Sequence, residues 1–219
     1  GELKPCGCAK EEDQGGIERR SGYLKKVRAH AKNTLLLDTG DNFKEPSRQG
    51  KLKAETLMRA MASMEYDAVT LGDHDLVYGH RFLLEKKGIP WTSANIRWGD
   101  SSLPPYRIKT FENGIKAAVV AVSDPDLFYG TRHSDLHIDD PRTAVESLLK
   151  PLKDRERPDL VVLLTHMNRA KALELLNLNG VDVVVNGHIQ NPTDTIDLEP
   201  VRRKGKIFVQ PGPRGQKLA

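Results

Sequence analysis

Short apolar runs alternate with amphipathic stretches along the chain, and that alternation predicts an α/β protein. Thr34-Leu35-Leu36-Leu37-Asp38 reads as a buried strand that stops at Thr39-Gly40-Asp41-Asn42. Ala68 to Leu71, Leu160 to Leu164 and Val181 to Val185 are apolar runs of strand length, and Trp91 to Ile96 and Lys206 to Gln210 are further strand candidates. Amphipathic segments lie between them. Ile17 to His30 reads as a helix, as does Lys51 to Met64, where Leu52, Leu57, Met58, Met61 and Met64 recur at near-helical spacing. Arg81 to Lys87, closed by Gly88, Thr143 to Lys153, preceded by Asp140 and Pro141, and Ala170 to Leu176 complete the helices. In the middle, Tyr106 to Phe111 alternates, Asn113-Gly114 signals a hairpin, and Ile115 to Val122 is an apolar run. Ser123 to Pro141 reads as a polar loop carrying two histidines.

Four of the apolar strands end in a polar cluster. The clusters are Asp38-Thr39-Gly40-Asp41, Gly72-Asp73-His74-Asp75, Thr165-His166 and Gly187-His188. In an open α/β sheet the carboxyl ends of the strands share one edge, where ligands bind. Four such clusters are therefore expected to converge. Each has a bland reading by itself: Asp-x-Gly-Asp as a turn or helix cap, His166 as a hydrogen-bonded histidine, Asn186-Gly187-His188 as a turn. Together, two carboxylates and two imidazoles make a mixed oxygen and nitrogen metal site suited to Zn²⁺, Mn²⁺ or Fe rather than Ca²⁺.

Composition narrows the function. The chain has 219 residues, 38% of them hydrophobic, enough for a folded core. Its 34 basic and 30 acidic residues leave a net charge of +4. So mild an excess suits a small anionic substrate and does not argue for nucleic acid. Arg19 and Arg20 are expected to support the structure or the rim of the site. No run of about 18 apolar residues is present to span a bilayer. Cys6 and Cys8 are the two cysteines. They form no disulfide framework, and their C-x-C spacing suits a metal, a redox role or a covalent neighbour outside this chain.

In this order the clusters resemble the calcineurin-like metallophosphoesterases, and within them the 5'-nucleotidase and UDP-sugar hydrolase branch. That series runs D-x-H, G-D, G-N-H-[DE], an isolated H after a strand, then G-H-x-H. Gly40-Asp41 stands for the second member, Gly72-Asp73-His74-Asp75 for the third, His166 for the fourth and Gly187-His188-Ile189-Gln190 for the fifth. Gly15-Gly16-Ile17-Glu18-Arg19, Ser93-Ala94-Asn95-Ile96 and Val209-Gln210-Pro211-Gly212 resemble other segments of that branch. Asp73 replaces Asn, Gln190 replaces the final His, and no D-x-H is present. Glu2-Leu3-Lys4-Pro5-Cys6-Gly7-Cys8 resembles an offshoot with a cysteine pair after the first strand, sometimes linked to multihaem cytochromes. The C-terminal domain of that branch has no counterpart in the 219 residues.

The resemblance implies a two-sheet sandwich, α/β/β/α, with the site at the carboxyl ends of the strands. It implies a single metallophosphoesterase-like catalytic domain over residues 1–219, trimmed at both ends. Asp41 is then expected to bridge two metals, with Asp73, His166 and His188 completing one position. Gln190, Cys6 and Cys8 are the further candidates for the other, weakened one. His74 is expected to face the scissile phosphate as general acid or electrostatic stabiliser, oriented by Asp75. The implied activity is metal-dependent hydrolysis of phosphate monoesters or nucleotides, and the implied location is periplasmic or otherwise extracytoplasmic. The alternative is a catalytically degenerate domain of the same fold, acting as a binding or redox-linked module through Cys6 and Cys8, with a cytochrome or other redox partner.

Overall fold

The computed structural model describes residues 3–5, 14–85, 87–130, 133–189 and 199–212. The element order is α1 (Ile17–His30), β1 (Leu37–Asp38), α2 (Arg48–Ser63), β2 (Ala68–Val69), α3 (Gly79–Glu85), β3 (Ile96–Trp98), β4 (Ser101–Ser102), β5 (Tyr106–Thr110), β6 (Lys116–Ser123), β7 (Leu136–Ile138), α4 (Pro141–Glu156), β8 (Leu160–His166), α5 (Arg169–Leu175), β9 (Val183–Gly187), β10 (Val201–Arg203) and β11 (Lys206–Val209).

The main sheet has the order β10-β11-β9-β8-β6-β5. Its central strands β6, β8, β9 and β11 are parallel, and an antiparallel strand closes each edge. The small sheet is the parallel pair β1-β2, extended by a parallel bridge from Val69 to Trp91. β4, β3 and β7 form a separate antiparallel sheet.

Side chains along the central strands explain the layering. On β6, Ala118, Val120 and Val122 pack against α4 and α5, whereas Val119 and Ala121 face the small sheet beside Leu37 and Ala68. On β8, Val161 and Leu163 take the helix side, and Val162 and Leu164 the sheet side. A strand buried on both faces must be apolar at every position, which is why these runs are continuous rather than alternating. A third cluster fills the outer face of the small sheet, where Leu57, Met58 and Met61 of α2 meet Val69, Leu71 and Trp91. Three apolar layers thus separate helices, small sheet, main sheet and helices, the expected α/β/β/α order. Among the described residues, no helix is long and apolar enough to cross a membrane.

Local chemistry sets the element ends. The Ser47 side chain accepts from the Gly50 N–H and starts α2; Asp140 accepts from Thr143 N–H before Pro141 at the head of α4. Such caps satisfy donors that a helix start leaves open. The structure departs from the sequence reading at the shortest strands. β1 is two residues long because the Leu36 N–H goes to the Asp67 carboxylate (2.7 Å) and not to a neighbouring strand. β7 runs through the segment read as a polar loop, pairing antiparallel with β3. β10 is an exposed edge strand joined to β11 through a tight turn at Lys204-Gly205.

Candidate metal centre

The four polar clusters meet at one edge, where the main sheet faces the small one. His166 is the last residue of β8, and His188 follows β9 in the neighbouring register, since His166 pairs with Gly187. Asp41 follows β1, and Asp73 opens the short 3-10 turn Asp73–Leu76 after β2. One ligand atom from each of Asp41, Asp73, His166 and His188 lies within 4.8 Å of the others. Four ligands at about 2.0–2.2 Å from one ion would span about 4.4 Å at most. A pair on opposite sides of the ion would therefore need to close by only a few tenths of an ångström, and a tetrahedral set by about 1 Å.

His166 Nε2 lies 3.4 Å from Asp41 Oδ2 and 3.4 Å from Asp73 Oδ1, and His188 Nδ1 lies 4.0 Å from Asp73 Oδ1. Asp73 Oδ1, His166 Nε2 and His188 Nδ1 are all buried without a hydrogen-bond partner. Buried polar atoms are nearly always satisfied, and three orphans aimed at one point suit a cation that would take all three lone pairs. The Nδ1 of His166 donates to the Thr39 carbonyl at 2.6 Å. A carbonyl only accepts, so Nδ1 keeps its proton in either charge state and Nε2 is the atom left to meet a cation.

The carboxylates dominate the electrostatics of the cluster. Burial opposes the charge on Asp41, but the close approach of His166 and the positive charge of His166 and His74 outweigh it and hold the carboxyl well below the usual carboxylate range. Burial opposes protonation of His166 as well, yet its contacts with Asp41 and Asp73 push its pKa up to about 10. His188 moves the other way, lowered first by burial and then by His166, which favours the neutral ring that a ligand must present.

Close backbone approach explains the motif glycines. A β-carbon on Gly72 would collide with the Asp41 carboxylate, and one on Gly187 would lie 2.7 Å from Thr39 Cβ. Asp41 and His188 themselves adopt left-handed φ angles of 59° and 63°. Non-glycine residues seldom do so, and such strain persists only where surroundings impose it.

Asp75 imposes it on Asp41. This fully buried carboxylate accepts from four backbone N–H groups: Asp41 (2.8 Å) and Gly72 (3.0 Å) on Oδ2, Asn42 (2.8 Å) and Phe43 (3.2 Å) on Oδ1. The donors favour the charged form. Burial and the Asp41 charge oppose it and raise the carboxyl's pKa to about 7. The expected pairing of Asp75 with the His74 imidazole is therefore corrected: both oxygens serve the Asp41 loop. His74 instead stacks on Tyr129, with ring centroids 3.7 Å apart and planes at 13°. Its backbone N–H donates to Asp41 Oδ1 at 3.2 Å.

Supporting residues surround the cluster. Arg20, nearly buried, donates to the Tyr66 hydroxyl at 3.1 Å and lies 3.7 Å from Asp38 Oδ2. Asp38 Oδ1 accepts from the Gly40 N–H and from Asn42 Nδ2. The basic first helix thus braces the Asp41 loop from inside the protein. Buried Asn186 receives the Thr165 hydroxyl at 2.7 Å and donates to the Met167 carbonyl at 3.0 Å and to Gln210 Oε1 at 3.2 Å. Gln210 in turn donates to the His188 carbonyl at 3.4 Å. Asn186 was visible as the residue before Gly187-His188; nothing in the sequence marked Tyr129. Gln190, Cys6 and Cys8, the candidates for a second metal position, lie outside the described residues.

Residues 13–192 match the family described as Calcineurin-like phosphoesterase. The chain is 27% identical over 207 residues to a 5'-nucleotidase of Vibrio vulnificus (strain CMCP6), covering 81% of this chain and 36% of that protein. It is 36% identical over 94 residues to a snake venom 5'-nucleotidase of Naja atra, covering 41% of this chain and 18% of the other. It spans about a third of the length of the Vibrio relatives it matches, 34–36%. Its fold superposes with a TM-score of 0.79 on a 5'-nucleotidase precursor from Thermus thermophilus, at 22% identity, covering 97% of this chain and 47% of that one. A Haemophilus influenzae NAD nucleotidase gives a TM-score of 0.76 at 23% identity, covering 93% and 40%.

Proposed function

This chain belongs to the calcineurin-like phosphoesterase family, and we propose that it hydrolyses phosphate monoesters, nucleotides among them, around one divalent cation. The observation that carries the reading is the convergence of three buried, unpartnered ligand atoms on Asp73, His166 and His188, with Asp41 beside them. Asp41, Asp73, His166 and His188 would hold the cation, with Zn²⁺, Mn²⁺ or Fe suited to the donor set. Bound there, it would supply the Lewis acid that stabilises charge on phosphoryl oxygens and lowers the pKa of water. The nucleotide part of the reading draws on relatives named 5'-nucleotidase.

The chain's own residues then divide the work. Thr39 fixes the His166 tautomer, Asp75 fixes the Asp41 loop, and the Asn186–Gln210 pair supports the backbone at His188. Asp73 in place of Asn adds a negative charge to the ligand set, which tightens the hold on a divalent cation. His74 lies one residue past Asp73 and is assigned no ligand role. Its imidazole is the group that meets the phosphoryl oxygens, as proton donor to the leaving oxygen or as electrostatic partner.

The test is metal content by elemental analysis, with turnover of 4-nitrophenyl phosphate and of adenosine 5'- and 3'-monophosphates. A chain that binds a divalent cation yet hydrolyses none of the three would overturn the proposal. Replacing His74 by alanine is expected to lower kcat by about 10²-fold or more while metal content stays at the wild-type level. Metal loss equal to that of Asp73→Ala would instead make His74 a ligand.

A further inference from the structure

Tyr129 lies in the segment that leaves β6, and three sets of contacts brace that segment. The Asp124 N–H donates to the His166 carbonyl at 3.0 Å, tying its start to a strand end of the metal centre. The buried Asp124 carboxylate accepts from Lys171 Nζ of α5 at 2.9 and 3.0 Å and from the Asp126 N–H at 3.0 Å. The Leu127 N–H closes a turn onto the Asp124 carbonyl at 3.3 Å. Past the tyrosine, a β-carbon on Gly130 would lie 3.7 Å from Val77 Cγ1, so the chain there rests beside the turn that carries His74. The tyrosine is delivered by a braced turn.

His74 needs such a neighbour. Asp75, the adjacent acid, has both oxygens engaged by backbone N–H groups. The χ2 torsion of an imidazole is broad and has no steep well of its own. A phenol ring lying nearly parallel at 3.7 Å covers one face of the imidazole and confines its nitrogens to one plane.

We infer that Tyr129 is a positioning residue, holding the His74 imidazole through this stack in the orientation from which it meets the phosphoryl group. The inference rests on the reading of His74 given above and adds the group that orients it. A catalytic group out of alignment loses rate even when its chemistry is intact.

The test uses the 219-residue chain, loaded with Mn²⁺, with Tyr129→Leu and Tyr129→Phe compared on 4-nitrophenyl phosphate. Tyr129→Leu should lower kcat about tenfold, with KM and Mn²⁺ content unchanged. Tyr129→Phe keeps the ring and should stay within about twofold. A second readout needs no turnover. In the chelator-treated protein, the carbon-bound ring protons of His74, assigned by their loss in His74→Ala, should resonate upfield under the tyrosine ring. They should move downfield in Tyr129→Leu and stay in place in Tyr129→Phe. Unmoved His74 resonances in Tyr129→Leu, a Phe variant as impaired as the Leu variant, or a kcat loss accounted for by lost Mn²⁺ would each overturn the inference. The two readings fail separately. Wild-type turnover in His74→Ala would remove the role of His74, whereas the resonances test the stack whether or not substrate turns over.

Discussion

Replacing Asp75 by alanine is expected to cost about 3–5 kcal/mol of stability, the range for removing one partner of a buried charged network, and to abolish divalent binding with it. The carboxylate is fully buried and accepts from the N–H groups of Asp41, Asn42, Phe43 and Gly72. A methyl group in its place leaves three buried donors and one half-buried donor without an acceptor. At about 1–3 kcal/mol for each unsatisfied group, simple addition exceeds what the fold would lose, because the loop would move or admit water first. That movement is why metal binding goes too. The 41–43 loop carries Asp41 at a left-handed φ of 59°, and the bonds to Asp75 sustain that conformation. Asp75→Asn is the informative companion. It keeps the shape and one accepting oxygen, but turns an amide NH₂ towards one pair of donors, so its stability should fall between wild type and Asp75→Ala. Urea midpoints and Mn²⁺ titration measure both effects. An Asp75→Ala protein with the wild-type midpoint and wild-type Mn²⁺ affinity would refute the account.

The sequence showed where Asp75 stands and misled about where it points. His74 and Asp75 are adjacent, and adjacency suggested a pair. They sit on a 3-10 turn, where three residues complete a revolution and successive side chains diverge by about 120°. Such neighbours cannot readily face the same group. The four strand-end clusters were legible for the opposite reason. Asp41, Asp73, His166 and His188 each follow an apolar run, and parallel strands bring their carboxyl ends to one edge whatever the details of the loops. α1 was legible to the residue, Ile17–His30, because Gly15-Gly16 precedes it and a long Lys- and Arg-rich run without a Pro break leads up to His30. β7 was not, because Leu136-His137-Ile138 is too short for alternation to register, and its pairing with β3 is a tertiary fact. Tyr129 was invisible for the same reason. Its partner lies far back in the chain, and only the packing of β6 against the β2 segment brings the two rings together.

Divalent binding should release a proton, and His166 should be its source. With the cation removed by chelation, the buried imidazole lies 3.4 Å from both Asp41 Oδ2 and Asp73 Oδ1. Burial opposes its charge, but those carboxylates and the Thr39 carbonyl raise its pKa from 6.5 to about 10. A proton therefore occupies Nε2 near neutral pH, at the position a cation must take. Because the two compete, apparent affinity should weaken as pH falls, by about tenfold per unit below about pH 10 for a single displaced proton. The chelated protein should respond in the opposite sense. A group whose pKa is raised by folding contributes its full stabilisation below the unfolded value of 6.5 and loses it as pH rises through about 10. His166→Ala removes both the ligand and the proton. Even outer partners of a metal ligand are worth about 10–100-fold in affinity, so loss of the ligand itself should weaken Mn²⁺ binding by at least about 100-fold near neutral pH. Titration calorimetry in buffers of different ionisation enthalpy counts the protons released. About one per chain is expected from the wild type, and a count that His166→Ala leaves unchanged would show that the displaced proton sits elsewhere.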